Sequence, residues 1–128
     1  MKLDIQRIFP TSVFIFDNVL EQEYIDSMRE DIINQSKINS EQRQANWQSQ
    51  NSNKLYELPK YKELGRKALS NSRIYIDELE YIVEDMKLTG MWSNILKSGE
   101  THPPHTHSNN FISVFFMCKP RIVMLRLL

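Results

Sequence analysis

All three histidines of the chain fall within six residues. His102, His105 and His107 stand in the stretch GETHPPHTHSNNFISVFF, Gly99 to Phe116. Imidazole nitrogen is a ligand for zinc, iron, copper and nickel, and a short histidine-rich tract is a compositional pointer to a metal. His105 and His107 are two apart, so on an extended backbone both side chains leave the same face and can reach one ion. His102 lies across Pro103-Pro104, whose restricted backbone leaves its direction open, and is an outer partner at most. Two imidazoles do not choose a metal, and a site needs further ligands. A competing reading makes all three histidines polar turn residues ahead of a strand. A structural zinc site is a third reading, with His102 and Cys118 as the nearest candidates for its remaining ligands.

The segments around the histidines decide whether such a site can be held. MWSNILKSG, Met91 to Gly99, alternates Trp92, Asn94 and Leu96 against Met91, Ser93 and Ile95 and predicts a strand. FISVFF predicts a second, with SGETHPPH as the turn between them. Upstream, SVFIF, Ser12 to Phe16, is β-branched and aromatic, bounded by Pro10 and Asp17-Asn18, and predicts another strand. From Glu21 to about Gln35, Tyr24, Ile25, Met28, Ile32 and Ile33 recur at helical spacing, with Asp17 or Asn18 available as N-cap. Pro59 opens a helix over Leu58 to Ser70. A further helical pattern, Ile74 to Lys87, carries Tyr75, Leu79, Ile82 and Met86 on one face before Gly90 closes it. Lys37 to Lys54 is dominated by Asn, Gln and Ser, has no period and reads as a long polar loop. Trp47 inside it either plugs back into the body or faces a ligand, the plug being the commoner fate of a tryptophan.

The chain has 128 residues, 41% hydrophobic and 25% charged, which is enough for one modest core and one domain. Sixteen basic residues balance sixteen acidic ones. No block of like charge points to a nucleic-acid or membrane partner. The single Cys118 allows no internal disulfide. The apolar run near the N-terminus is too short, and too interrupted by Asp4, Arg7 and Asp17, for a signal peptide or membrane span. A cytoplasmic setting is therefore expected.

GMWSNILKSGETHPPHTHSNNFIS resembles a 2-oxoglutarate-Fe(II) oxygenase family common in phage and marine bacterial genomes. Its members carry a Trp-x-Asn-Ile strand, a glycine, an H-x-H pair and a Ser-Gly-Val-Tyr-Tyr strand. Trp92, Asn94, Ile95, Gly99, His105, His107 and Ser113 match that order and spacing. IFPTSVFIFDN is similar to the family's opening strand and NWQSQN to its Trp-x-Ser segment, so the likeness runs from about Ile8 to Ser113. The resemblance implies an α+β fold in which a strand and N-terminal helices (1–89) pack on a partial distorted double-stranded β-helix of jelly-roll or cupin type, begun at 90–113 and incomplete at the C-terminus. It implies an Fe(II)/2-oxoglutarate-dependent dioxygenase, with His105 and His107 as iron ligands and 2-oxoglutarate as small-molecule cosubstrate. Asn94 and Trp92 are then candidates to line the cosubstrate pocket, Asn94 as a buried amide needing partners and Trp92 equally as core.

After Ser113 the pattern breaks: where the family has Gly-Val-aromatic-Tyr, the chain reads VFFMCKPRIVMLRLL. A message AGT GGT GTT TTT TAT GTG CAA encodes Ser-Gly-Val-Phe-Tyr-Val-Gln. Loss of one G from its second codon gives AGT GTG TTT TTT ATG TGC AA, which is Ser-Val-Phe-Phe-Met-Cys followed by Lys or Asn. Residues 114–128 are accordingly expected to be a frameshifted tail, and resequencing the DNA through codons 110 to 120 tests this. The family's distal histidine and 2-oxoglutarate-gripping arginine lie downstream, so the chain is expected to be a fragment of the oxygenase, inactive alone. RIVMLRLL is expected to be sticky and ISVFFM aggregation-prone. The alternative function is a non-catalytic binding or structural phage accessory protein, because one scaffold hosts both.

Overall fold

A computed structural model of the chain describes residues 11–38, 47–48, 54–107 and 110–118. Helix α1 spans Gln22–Ile38, where the apolar spacing predicts one. Leu20, Tyr24, Met28 and Ile32, four residues apart, form the stripe that turns inward. The helix opens later than the expected caps: the Ile25 N–H donates to the Glu21 carbonyl at 3.1 Å. Asn18 instead takes a left-handed turn, φ 54°, a conformation asparagine tolerates well.

Pro59 starts the second helical region as predicted. Leu58 before it is extended, as a residue preceding proline should be, and the 3-10 turns Leu55–Glu57 and Pro59–Tyr61 lead into helix α2, Lys62–Glu78. The separate helix expected over Ile74 to Lys87 is not formed. α2 runs through its first residues and stops at Glu78, because Glu80 turns left-handed at φ 55°. The Glu80 N–H donates to the Asp77 carbonyl and the Tyr81 N–H to the Ile76 carbonyl, each at 3.1 Å. These are the paired bonds of a Schellman ending, which satisfy the last carbonyls and turn the chain away. Ile82, expected on the buried face, is 98% exposed.

The partial double-stranded β-helix is a correction. Among the described residues the β-structure is a two-residue antiparallel ribbon, β1 (Trp47–Gln48) against β2 (Asn94–Ile95), with Trp47 opposite Ile95, and one isolated parallel bridge between Lys54 and Met91. Alternation alone makes extended backbone; a strand also needs a neighbour to complete its ladder. Ser12 to Phe16, predicted as a strand, is in no ladder and lies on a helix: the Phe14 ring meets Tyr75 of α2 edge-on at 4.8 Å, and the Tyr75 hydroxyl donates to the Ser12 carbonyl at 3.5 Å. Phe111 to Phe116 is likewise outside any ladder. The long-loop reading of Lys37 to Lys54 falls largely outside the described residues, as does the side chain of Trp47.

The core gathers Met28, Leu55 and Tyr61, each at most 2% exposed, with Leu64, Met91 and Phe116 packed around them. Phe116 belongs to the segment expected to be out of frame, yet it reaches this cluster. A polar knot beside it ties α1 to the lead-in of α2. The Tyr61 hydroxyl donates to Asp31 Oδ2 at 2.7 Å, Gln35 Nε2 donates to the same oxygen at 2.8 Å, and Lys60 Nζ lies 3.6 Å from Oδ1. The Tyr24 hydroxyl donates to the Lys60 carbonyl. Among the described residues no helix is long and apolar enough to cross a membrane.

Candidate functional site

Local chemistry places the histidines. A turn precedes them: the Glu100 N–H donates to the Lys97 carbonyl at 3.1 Å and the Lys97 N–H to Glu100 Oε2 at 2.8 Å. Gly99 sits between them at φ 85°, a conformation a side chain would strain. Past Pro103-Pro104, His105 folds back so that its Nδ1 lies 2.9 Å from the Pro103 carbonyl oxygen. Its Nε2 faces His107 Nε2 at 2.8 Å, and His107 Nδ1 lies 3.2 Å from Ser113 Oγ.

The partners fix the protons for neutral rings. A carbonyl only accepts, so His105 carries its proton on Nδ1 and presents a lone pair at Nε2. His107 Nε2–H then donates into that lone pair, and the Ser113 hydroxyl donates to His107 Nδ1. One tautomer assignment satisfies all three contacts.

Two nitrogens bound to one ion at about 2.1 Å, in neighbouring positions at right angles, stand about 3 Å apart. The observed 2.8 Å between the two Nε2 atoms is close to that spacing. The H-x-H pair is thus brought together, in direct contact with each other through their Nε2 atoms. His102 joins by ring contact, edge-on to His105 at 4.7 Å. Among the described residues no group of three His, Cys, Asp or Glu side chains could hold an ion, so the four-ligand zinc arrangement with His102 and Cys118 is not assembled there. Cys118 is half-buried, and that burial pushes its thiol above the ordinary value while the Arg29 charge opposes it.

Trp92 is brought to the site: its ring lies 5.4 Å from that of His107, both half-buried. Asn94, expected as a buried amide, is exposed on β2 opposite Gln48. For 2-oxoglutarate the fit is thus partial, an aromatic wall beside His107 and a solvent-facing amide. Sequence reasoning matched Ser113 to a motif and missed its contact with His107. Two anchors hold Ser113 there. On one side the Phe111 ring packs edge-on against Tyr81 at 5.4 Å and Asn110 meets Thr89 at 2.9 Å; on the other, Phe116 enters the core. Compared with family models, curated proteins and solved structures, the chain matches none.

Proposed function

We propose that the chain carries the histidine pair of an iron(II) site belonging to a 2-oxoglutarate-dependent oxygenase, with His105 and His107 as two adjacent ligands. The observation that supports this reading is the convergence of their Nε2 atoms at 2.8 Å, with the outer nitrogen of each ring held by an oxygen. That outer contact is the usual companion of a ligating histidine, because it orients the ring and fixes which nitrogen faces the ion. The motif order from Trp92 to Ser113 supports iron and 2-oxoglutarate as the group bound. When bound, that group supplies oxidising power toward a substrate; the protein's share is to orient it and limit water. Trp92, packed against His107, shields one side of the pair. The reading rests on the ligand pair and keeps nothing of a β-helix.

Two imidazoles bind weakly beside a closed three- or four-ligand site, so the test must resolve modest affinity. Fe(II) is titrated anaerobically with and without 2-oxoglutarate, following the charge-transfer absorption of the chelated cosubstrate. The expected result is a band that needs both components and disappears in His105→Ala and His107→Ala. Iron binding that both substitutions leave unchanged would overturn the proposal and favour a non-catalytic module with the histidines as turn residues.

A further inference from the structure

We infer that the turn after α2 is a docking surface for a basic segment of another protein, with Ile82 as its apolar anchor and the carboxylates around it as the rim. The inference is independent of any metal at the histidines. Ile82 is 98% exposed and Tyr81 beside it 49%. The backbone that carries them is held on both sides: the Tyr81 N–H donates to the Ile76 carbonyl at 3.1 Å, and Arg73 Nη1 donates to the Val83 carbonyl at 3.0 Å. Phe111, 70% exposed, packs edge-on against Tyr81 at 5.4 Å and widens the apolar surface. An exposed isoleucine on a fixed backbone is pre-organised for a partner, since little chain entropy remains to be lost when it is covered.

Charge selects what covers it. Ile74 to Met86 holds five acidic residues, Asp77, Glu78, Glu80, Glu84 and Asp85, all exposed, and no basic one. Arg73 at one border is paired with Asp77 at 2.9 Å, and Lys87 stands at the other. The remaining four carboxylates are in no ion pair among the described residues; Asp85 accepts the Met86 N–H at 2.8 Å. A second copy of the chain would bring the same carboxylates face to face, and nucleic acid or an anionic lipid surface would be repelled as well. The occupant that satisfies both features is a segment whose apolar side chains are flanked by lysine or arginine. Arginine suits it best, because its guanidinium forks onto carboxylates and stacks on aromatic rings such as those of Tyr81 and Phe111.

The probe is a fluorescein-labelled synthetic amphipathic helix of leucine and arginine, titrated with the full chain and followed by anisotropy, beside the same peptide with glutamate in place of arginine. The arginine peptide should bind and the glutamate peptide should not, and added salt should weaken the binding. Ile82→Ser should leave melting unchanged, since the side chain is 98% exposed, and should weaken the arginine peptide about tenfold, the low end of what burying an isoleucine contributes. Glu78→Gln combined with Glu84→Gln should weaken it about threefold at low salt and flatten the salt dependence. No binding of the arginine peptide, or equal binding of both peptides, would overturn the inference. Binding that Ile82→Ser leaves unchanged would reduce the contact to charge alone and overturn it too. A dimer of the unsubstituted chain in sedimentation that Ile82→Ser abolishes would make the occupant a second copy instead.

Discussion

Tyr61→Phe removes one hydrogen bond at the point where the two helices are joined and leaves the packing in place. The Tyr61 ring is 2% exposed among Met28 and Leu55, and only its hydroxyl, 2.7 Å from Asp31 Oδ2, is lost. A hydrogen bond to a charged group contributes about 1.5–3 kcal/mol. Asp31 is 29% exposed and keeps Gln35 and Lys60, so water and these partners offset part of the loss. The expected cost at neutral pH is about 1–2 kcal/mol, which in urea moves the midpoint by roughly 0.5–1 M.

The pH dependence gives the sharper check. Burial alone would raise the Asp31 carboxyl, but the hydrogen bonds from Tyr61 and Gln35 and the Lys60 charge prevail and hold it below its ordinary 3.8. A carboxyl lowered in the folded state contributes stability that is fully present above the unfolded value and is lost as pH falls through the folded one. Below both values Tyr61 faces a neutral acid, and the cost of Tyr61→Phe should shrink to about 0.5–1 kcal/mol, that of a bond between neutral groups. Burial, then the Asp31 charge, pushes the Tyr61 phenol well above its ordinary 10, so the donor keeps its proton throughout this range. Urea denaturation of both proteins from neutral pH down through the acid range, to the lowest pH at which both still fold, makes the comparison. No measurable cost at neutral pH, or a cost that does not shrink while the wild-type protein loses the stability tied to Asp31, would refute the charge-assisted bond.

Glu80→Gly should raise stability by about 0.5–1 kcal/mol, a few degrees in the thermal midpoint, because glycine accepts the left-handed turn that Glu80 holds at φ 55°; a lower midpoint would argue against the Schellman ending. Ile82→Lys should change stability by less than about 0.5 kcal/mol, since the side chain is 98% exposed, and a loss above about 2 kcal/mol in denaturant would instead put Ile82 on a buried helical face. Phe111, Phe115 and Met117 are 70%, 77% and 61% exposed, a contiguous apolar stretch that invites self-association. Phe115→Lys should lower the light scattering of concentrated protein and leave its melting unchanged, and undiminished scattering would shift the cause to another segment.

What the sequence reveals depends on whether a residue type leaves a pattern. The α1 stripe was legible because Tyr24, Met28 and Ile32 repeat at the helical period, and the start of the second helical region because only proline is pre-shaped for that position. The end of α2 was not, since a glutamate carries no signature of a left-handed cap, and apolar residues beyond it, Ile82 and Met86, happen to continue the period. The β-branched and aromatic run Ser12 to Phe16 predicted a strand, and Ser12 and Phe14 are partly buried while Val13, Ile15 and Phe16 are exposed. It could not tell that the surface met is Tyr75 of a helix, because pairing is a property of two segments and the pattern belongs to one. His105 and His107 announce themselves by type and spacing. A serine six residues on does not, and its contact exists only because Phe111 and Phe116 pin the segment at both ends.

This division also shows why the histidine contacts form where the expected sheet does not. His105 is set by its immediate neighbours, the Gly99 turn, two prolines and the Pro103 carbonyl, and needs no sheet. His107 is set from afar, by Trp92 on one side and Ser113 on the other. An ion shared by the two rings would therefore tie together three stretches, 91–95, 101–107 and 110–118, that contribute none of the fully buried hydrophobic side chains among the described residues, Met28, Leu55, Tyr61 and Ile76. A bound ligand at a hundred times its dissociation constant adds about 2.7 kcal/mol, a sizeable part of the roughly 5–15 kcal/mol that holds an ordinary domain together. On the proposed reading, ligation and the ordering of these stretches would be one equilibrium. The affinity measured at the histidines would then contain the free energy of arranging the segments that carry Trp92 and Ser113, and a substitution there would weaken binding without touching a ligand.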